Sequence, residues 1–180
     1  VTGVQTCALP ISFAMPVSSL RYEPQVDVQE RNFAEGQADV TIRGGIFENS
    51  GFKLGAATLF DPQTGHYFAE IPVSPRMLTP PVVLTGAANA HAGFNSTAGT
   101  VRWGWAPITA TGGYIRGGVG DNALNFQSLY GSYVSPEPLW QGLTVEADDE
   151  VSRSERDGTV DFGDDGCERY NARVQVRGEH

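Results

Sequence analysis

A chain of 180 residues, of which the first eleven read as translated sequencing-adapter sequence, leaves enough for one domain with a sizeable core and about forty further residues. Its 21 acids against 12 bases give a net charge of −9 without a basic stripe, which excludes nucleic acid as a partner because phosphate neutralisation needs clustered Lys and Arg. With 22 Gly, 11 Pro and 18% charged residues, the composition favours short strands joined by turns over long amphipathic helices.

In chain order, Val1–Ile11 is set aside and residues 12–38 read as a linker or the end of a preceding region. Alternation and turn residues then predict strands near Ala38 to Arg43, Ala56 to Phe60, His66 to Val73, Pro81 to Gly86, Thr100 to Trp105, Gly113 to Arg116 and Leu124 to Val134. Asp61-Pro62-Gln63-Thr64-Gly65 supplies a turn that would close the second and third of these into a hairpin. Trp103 and Trp105 share one face of their strand and read as core candidates. Residues 138–156 carry charge and few apolar side chains, and read as an exposed acidic linker.

The stretch Leu54 to Val73 is echoed without gaps by Asp157 to Val176 at an offset of 103 residues. Gly55, Asp61, Tyr67, Ala69 and Val73 recur as Gly158, Asp164, Tyr170, Ala172 and Val176. The expected organisation is therefore an all-β sandwich over 39–137, followed by the truncated start of a second repeat over 157–180.

Chemistry-bearing motifs are sparse. With Cys7 in the adapter-like segment, Cys167 is the only remaining cysteine, so neither an intrachain disulfide nor a thiolate metal site is expected. His66 and His91 have no second ligand at metal spacing, and Asp161, Asp164, Asp165 and Glu168 lack the alternating calcium-loop pattern. Gly117-Gly118-Val119-Gly120 lacks the Lys-Ser/Thr ending of a phosphate loop, and there is no Gly-x-Ser-x-Gly elbow. The expectation is a non-catalytic module without cofactor or metal. No run approaches the ~18 apolar residues of a membrane helix, so no membrane insertion is expected of this segment.

The ordered landmarks Thr79-Pro80-Pro81-Val82-Val83-Leu84, Thr109-Ala110-Thr111-Gly112-Gly113-Tyr114 and a closing strand through Ser132-Tyr133-Val134 resemble the H-type lectin domain. That resemblance implies a six-stranded antiparallel β-sandwich, a homotrimer and recognition of galactose or N-acetylgalactosamine in shallow clefts between chains. It places Arg102 at the family's ligand arginine and Asp121 and Asn122 where an aromatic and its polar neighbour are usual; Asp61 would reach a neighbour's site. The implied function is a glycan-binding module of a tandem-repeat adhesion or surface protein, at the cell surface or outside the cell. Two other readings stay open: a trimeric fibre module without a sugar site, and an accessory domain of a polysaccharide-processing enzyme.

Overall fold

The computed structural model describes residues 15–30, 38–63, 71–93, 95–120, 123–136, 143–154 and 167–178. The chain is mostly β-sheet, antiparallel and mixed, and divides into two compact units between Trp105 and Ala106. Neither expected boundary, near 39 or near 137, falls at this division.

Unit 1 opens with a 3-10 helix, Pro16–Tyr22, started by proline at a position where no backbone N–H is needed. Val17 and Leu20 are buried, so residues read as linker belong to a core. Strand β1 (Val26–Glu30) pairs antiparallel with β2 (Ala38–Ile42), in which Ala38, Val40 and Ile42 turn inward in strict alternation. A tight turn follows: Arg43 and Gly44 both have positive φ, and the Gly45 N–H closes it on the Ile42 carbonyl at 3.0 Å.

A four-stranded mixed sheet completes the unit, in the order β4 (Ala57–Leu59), β3 (Ser50–Leu54), β6 (Gly99–Trp103), β5 (Val82–Leu84). β3 and β6 run parallel, which requires a long crossover between them. That crossover carries β4, β5 and a short helix, α1 (Gly86–Ala92), formed by the Ala-rich stretch after β5. Phe52 and Trp103 stack at 6.3 Å between centroids in the core, which also buries Val101, Ile71 and Met77. Of the two tryptophans read as core candidates, Trp103 is buried and Trp105 half-buried.

A closed ring of polar bonds ties α1 to β6. Asn89 Nδ2 donates to the Ser96 carbonyl at 2.6 Å, and Thr100 Oγ1 donates to Asn89 Oδ1 at 2.6 Å while lying 2.9 Å from Ser96 Oγ. All three side chains are buried, so each bond replaces water that the site excludes.

Unit 2 is an antiparallel meander in the order β10 (Cys167–Arg177), β9 (Thr144–Ser154), β8 (Asn125–Val134), β7 (Gly112–Val119). In place of a single six-stranded antiparallel arrangement over 39–137, the described strands form one sheet of two and two of four. Two sequence expectations are corrected here. Residues 144–154 form a ladder strand, not an exposed linker: Glu146, Asp148 and Glu150 alternate with Val145, Ala147 and Val151 and share one face, with Asp149 on the other. Residues 167–177 pair with β9 along their whole length and extend this sheet, so they do not begin a separate module. The echo breaks at the same place: Val174–Val176 lies in β10, whereas Ile71–Val73 is not a strand. The remaining echoed positions over 64–70 and 157–166, with the expected hairpin at Asp61 to Gly65, lie partly or wholly outside the described residues.

Candidate functional site

The feature of this molecule that calls for a functional account is the meander of unit 2, whose faces are inverted. Its register aligns Ile115, Leu129, Asp149 and Ala172 in one row across the four strands, and Tyr114, Tyr130, Asp148 and Arg173 in the next. Side chains of successive rows point to opposite faces, so the sheet sorts its residues cleanly.

One face is apolar and exposed. Among the described residues ten large apolar side chains stand exposed, and seven are on this face: Ile115, Val119, Leu129, Tyr133, Tyr170, Val174 and Val176. Ile115 and Val119 are each 83% exposed. A lone exposed valine is ordinary, but a contiguous sheet face of them marks a surface that meets something other than water. Gly131 and Ala147 leave a shallow groove of about 440 Å³ in it, rimmed by Leu129, Ala172 and Val174, with Asp149 at its side.

The opposite face is polar and shielded. Glu146 is only 2% exposed, and Asp148, Ser128 and Ser152 are buried with it. Tyr130 stacks on Tyr114 at 5.5 Å and donates its hydroxyl to Glu146 Oε2 at 3.1 Å. Glu146 Oε1 receives the Arg177 guanidinium at 3.1 Å. Arg116 lies over the Phe126 ring, 5.6 Å from its centroid, a cation–π contact on the same face. Both carboxylate oxygens of Glu146 are thereby paired, as a buried charge must be where water is scarce.

The residues singled out from the sequence are placed as follows. Asp61 lies just after β4, half-buried, and accepts the Gln63 backbone N–H at 2.9 Å, which is turn capping. Arg102 is exposed on β6, in register with Lys53 of β3 and Val82 of β5. β3 lies between the strand that leads to Asp61 and the strand that carries Arg102. Asp121 and Asn122, in the β7–β8 connection, lie outside the described residues, as do His66 and the acids at 161, 164 and 165. Among the described residues no group of three His, Cys, Asp or Glu is placed to hold a metal ion.

The outward apolar row was missed from sequence although its signal is visible. Tyr170, Ala172, Val174 and Val176 alternate with Asn171, Arg173, Gln175 and Arg177, a pattern that separates two faces without saying which one is shielded.

No family model matches the chain, and no curated protein matches it. Solved structures do. One is FpvA of P. aeruginosa, a TonB-dependent receptor, in a complex with a heterologous pyoverdine and iron. The likeness has a TM-score of 0.53 at 15% identity and covers 76% of this chain. The chain spans 17% of the length of FpvA. At this identity the likeness establishes shared fold.

Proposed function

We propose that unit 2 contributes wall strands to an outer-membrane β-barrel, and that the chain is a segment of a receptor that takes up an iron chelate, as FpvA binds ferric pyoverdine. The observation that carries this reading is the inverted sheet: apolar side chains outward, a polar and charged lining on the other face. Lipid-facing barrel strands have this dyad pattern, with aromatic residues toward the two ends of the apolar band. Here Tyr133 and Tyr170 stand six β8 positions apart by register, since Tyr170 aligns through Val151 with Gln127. From the Tyr133 row to the Asn125 row, level with Val119, the face runs eight residues along β8. At about 3.3 Å per residue that is roughly 26 Å along the strand, or about 20 Å of height at a barrel tilt of ~40°, close to the ~25 Å apolar band of such walls.

Two further features support it. Among the described residues β7 and β10 each pair on one side only, and open edges of this length call for further strands. Among the described residues no helix is long and apolar enough to cross a membrane, but strands that alternate never produce the long apolar run by which helices betray themselves. The expectation of no membrane insertion rested on that run alone.

The test is paired cysteine labelling along β8 in the full-length protein, after membrane fractionation. Leu129→Cys, Gly131→Cys and Tyr133→Cys should react with a lipid-soluble reagent and resist a water-soluble maleimide, with the half-buried Ser132→Cys behaving oppositely. Maleimide reaction at the first set, in protein recovered from the soluble fraction, would remove the barrel reading. Binding of a ferric chelate by the folded receptor then tests the cargo separately.

The glycan-binding reading retains one supporting observation, the exposure of Arg102 on β6. Its test is Asp121→Ala with Asn122→Ala on a glycan array: galactose-inhibitable binding lost at an unchanged unfolding midpoint would support it, since surface substitutions leave stability nearly untouched.

A further inference from the structure

The chain enters unit 2 by an unusual route. Ala106 comes first, and its carbonyl accepts a bond from Nη1 of Arg177, on β10, 71 residues later. Four residues on, the Ala110 carbonyl accepts from Ser132 Oγ of β8 at 2.8 Å, and Thr111 Oγ1 accepts the Val134 N–H at 2.9 Å. β7 begins at Gly112, at the opposite edge of the sheet from β10. Residues 106–111 therefore cross the end of the sheet from one edge to the other. The geometry closes: three strand spacings are roughly 14 Å, within the ~20 Å reach of six extended residues.

Arg177 is a fork, and its arms do different work. One holds the Ala106 carbonyl; the other is fixed by Glu146 Oε1 at 3.1 Å and Gln175 Oε1 at 3.0 Å. Glu146, 2% exposed, is itself oriented by the Tyr130 hydroxyl. A shielded ion pair adds little net stability compared with apolar packing, but it fixes one geometry, because separating the partners strands a charge. The guanidinium is thereby held where its free arm meets a particular backbone carbonyl.

We infer that residues 106–111 form a strap clasped to the sheet by the Glu146–Arg177 pair, so that the chain leaving Trp105 is anchored on β10 before it reaches the β7–β8 ladder. A pull on the chain at Trp105 loads the clasp first, and opening the clasp frees the start of the strap without unzipping the sheet, while Ser132 and Val134 still hold residues 110 and 111. Glu146 and Arg177 are positioning residues in this device. It stands whether or not the outward face of the sheet meets lipid.

The experiment uses the full-length protein freed of other cysteines, Cys167→Ser among the changes, with a reporter Ile108→Cys in the strap and, separately, a control Ser128→Cys in β8. Glu146→Gln should raise the maleimide reaction rate of the reporter by about tenfold, the scale of a modest local opening, and leave the control unchanged. Arg177→Lys, which keeps the charge and loses the fork, should raise the reporter rate as well, and decides the matter should Glu146→Gln fail to fold. Tyr130→Phe, which spares the ion pair, should leave it within about twofold. An unchanged reporter in Arg177→Lys, or equal acceleration of reporter and control, overturns the clasp: the first shows that nothing is held there, the second that the pair stabilises the sheet as a whole.

Discussion

Two arginine-centred triplets state the contrast between the units. In unit 1, Val101 and Trp103 are buried and Arg102 between them is exposed; in unit 2, Ala172 and Val174 are exposed and Arg173 between them is half-buried. The local sequences, apolar-Arg-apolar in each, are equivalent as strands. What differs is the partner of each face. β6 buries Val101 and Trp103 in a unit whose core also holds Phe52, Ile71 and Met77, whereas the apolar side chains of β10 stand exposed. Alternation sets which residues share a face, and the medium beyond the sheet sets which face is shielded.

The contrast breaks most visibly at its two apolar centres. Trp103→Ala should destabilise unit 1 by about 3–5 kcal/mol, since it removes a buried indole stacked on Phe52. The matching truncation in unit 2, Val174→Ala, should stay within about 0.5 kcal/mol, because that side chain is 74% exposed. Denaturant unfolding followed by a probe in each unit checks both. Similar losses at the two sites would mean that the outward face of unit 2 is covered by protein.

A charge sharpens the same point by asking what covers that face. Leu129→Arg places a guanidinium in the row of Ile115 and Ala172. In a lipid-facing wall it should cost about 2–4 kcal/mol at mid-depth, and in water within about 0.5 kcal/mol. Refolding into lipid vesicles and into detergent-free buffer separates these outcomes.

The exception to the apolar core of unit 1 gives a smaller effect. Asn89→Ala should cost about 1–3 kcal/mol, because it removes partners of both the Ser96 carbonyl and Thr100 Oγ1 inside a shielded ring. Thr100→Ser keeps the hydroxyl and should recover most of wild-type stability. If both variants lose equally, packing of the Thr100 methyl group outweighs the ring.

Much of the strand pattern was legible. Strands near 38–43, 56–60, 81–86 and 100–105 and the pair around 113–116 and 124–134 have counterparts in β2, β4, β5, β6, β7 and β8. β3 was not, because Ser50-Gly51-Phe52-Lys53-Leu54 contains a glycine and a lysine and is buried at four of its five residues, which erases alternation. β9 was misread for a different reason: Glu146, Asp148, Asp149 and Glu150 look solvated, and only the pairing with β8 and β10 shows that two of them are shielded. Arg102, Asp61, Asp121 and Asn122 follow from the lectin resemblance and its landmarks, whereas the outward row of valines and tyrosines shows only once register assigns each side chain a face.

Asp61 offers the smallest and most discriminating effect. Its carboxylate accepts the Gln63 N–H at 2.9 Å across a turn that Pro62 already restricts. Asp61→Ala removes that acceptor at a half-buried site and should cost about 1 kcal/mol. Asp61→Asn retains an acceptor oxygen and loses only the charge, so turn capping predicts that it stays near wild type. A residue that recognises a ligand through its charge would behave otherwise: Asn would lose as much ligand affinity as Ala, at an unchanged unfolding midpoint. Thermal unfolding and ligand titration on the pair therefore decide whether the edge of unit 1 holds anything beyond its own turn, and an equal stability loss in both variants would show that the carboxylate charge, not the single bond to Gln63, holds the segment after β4.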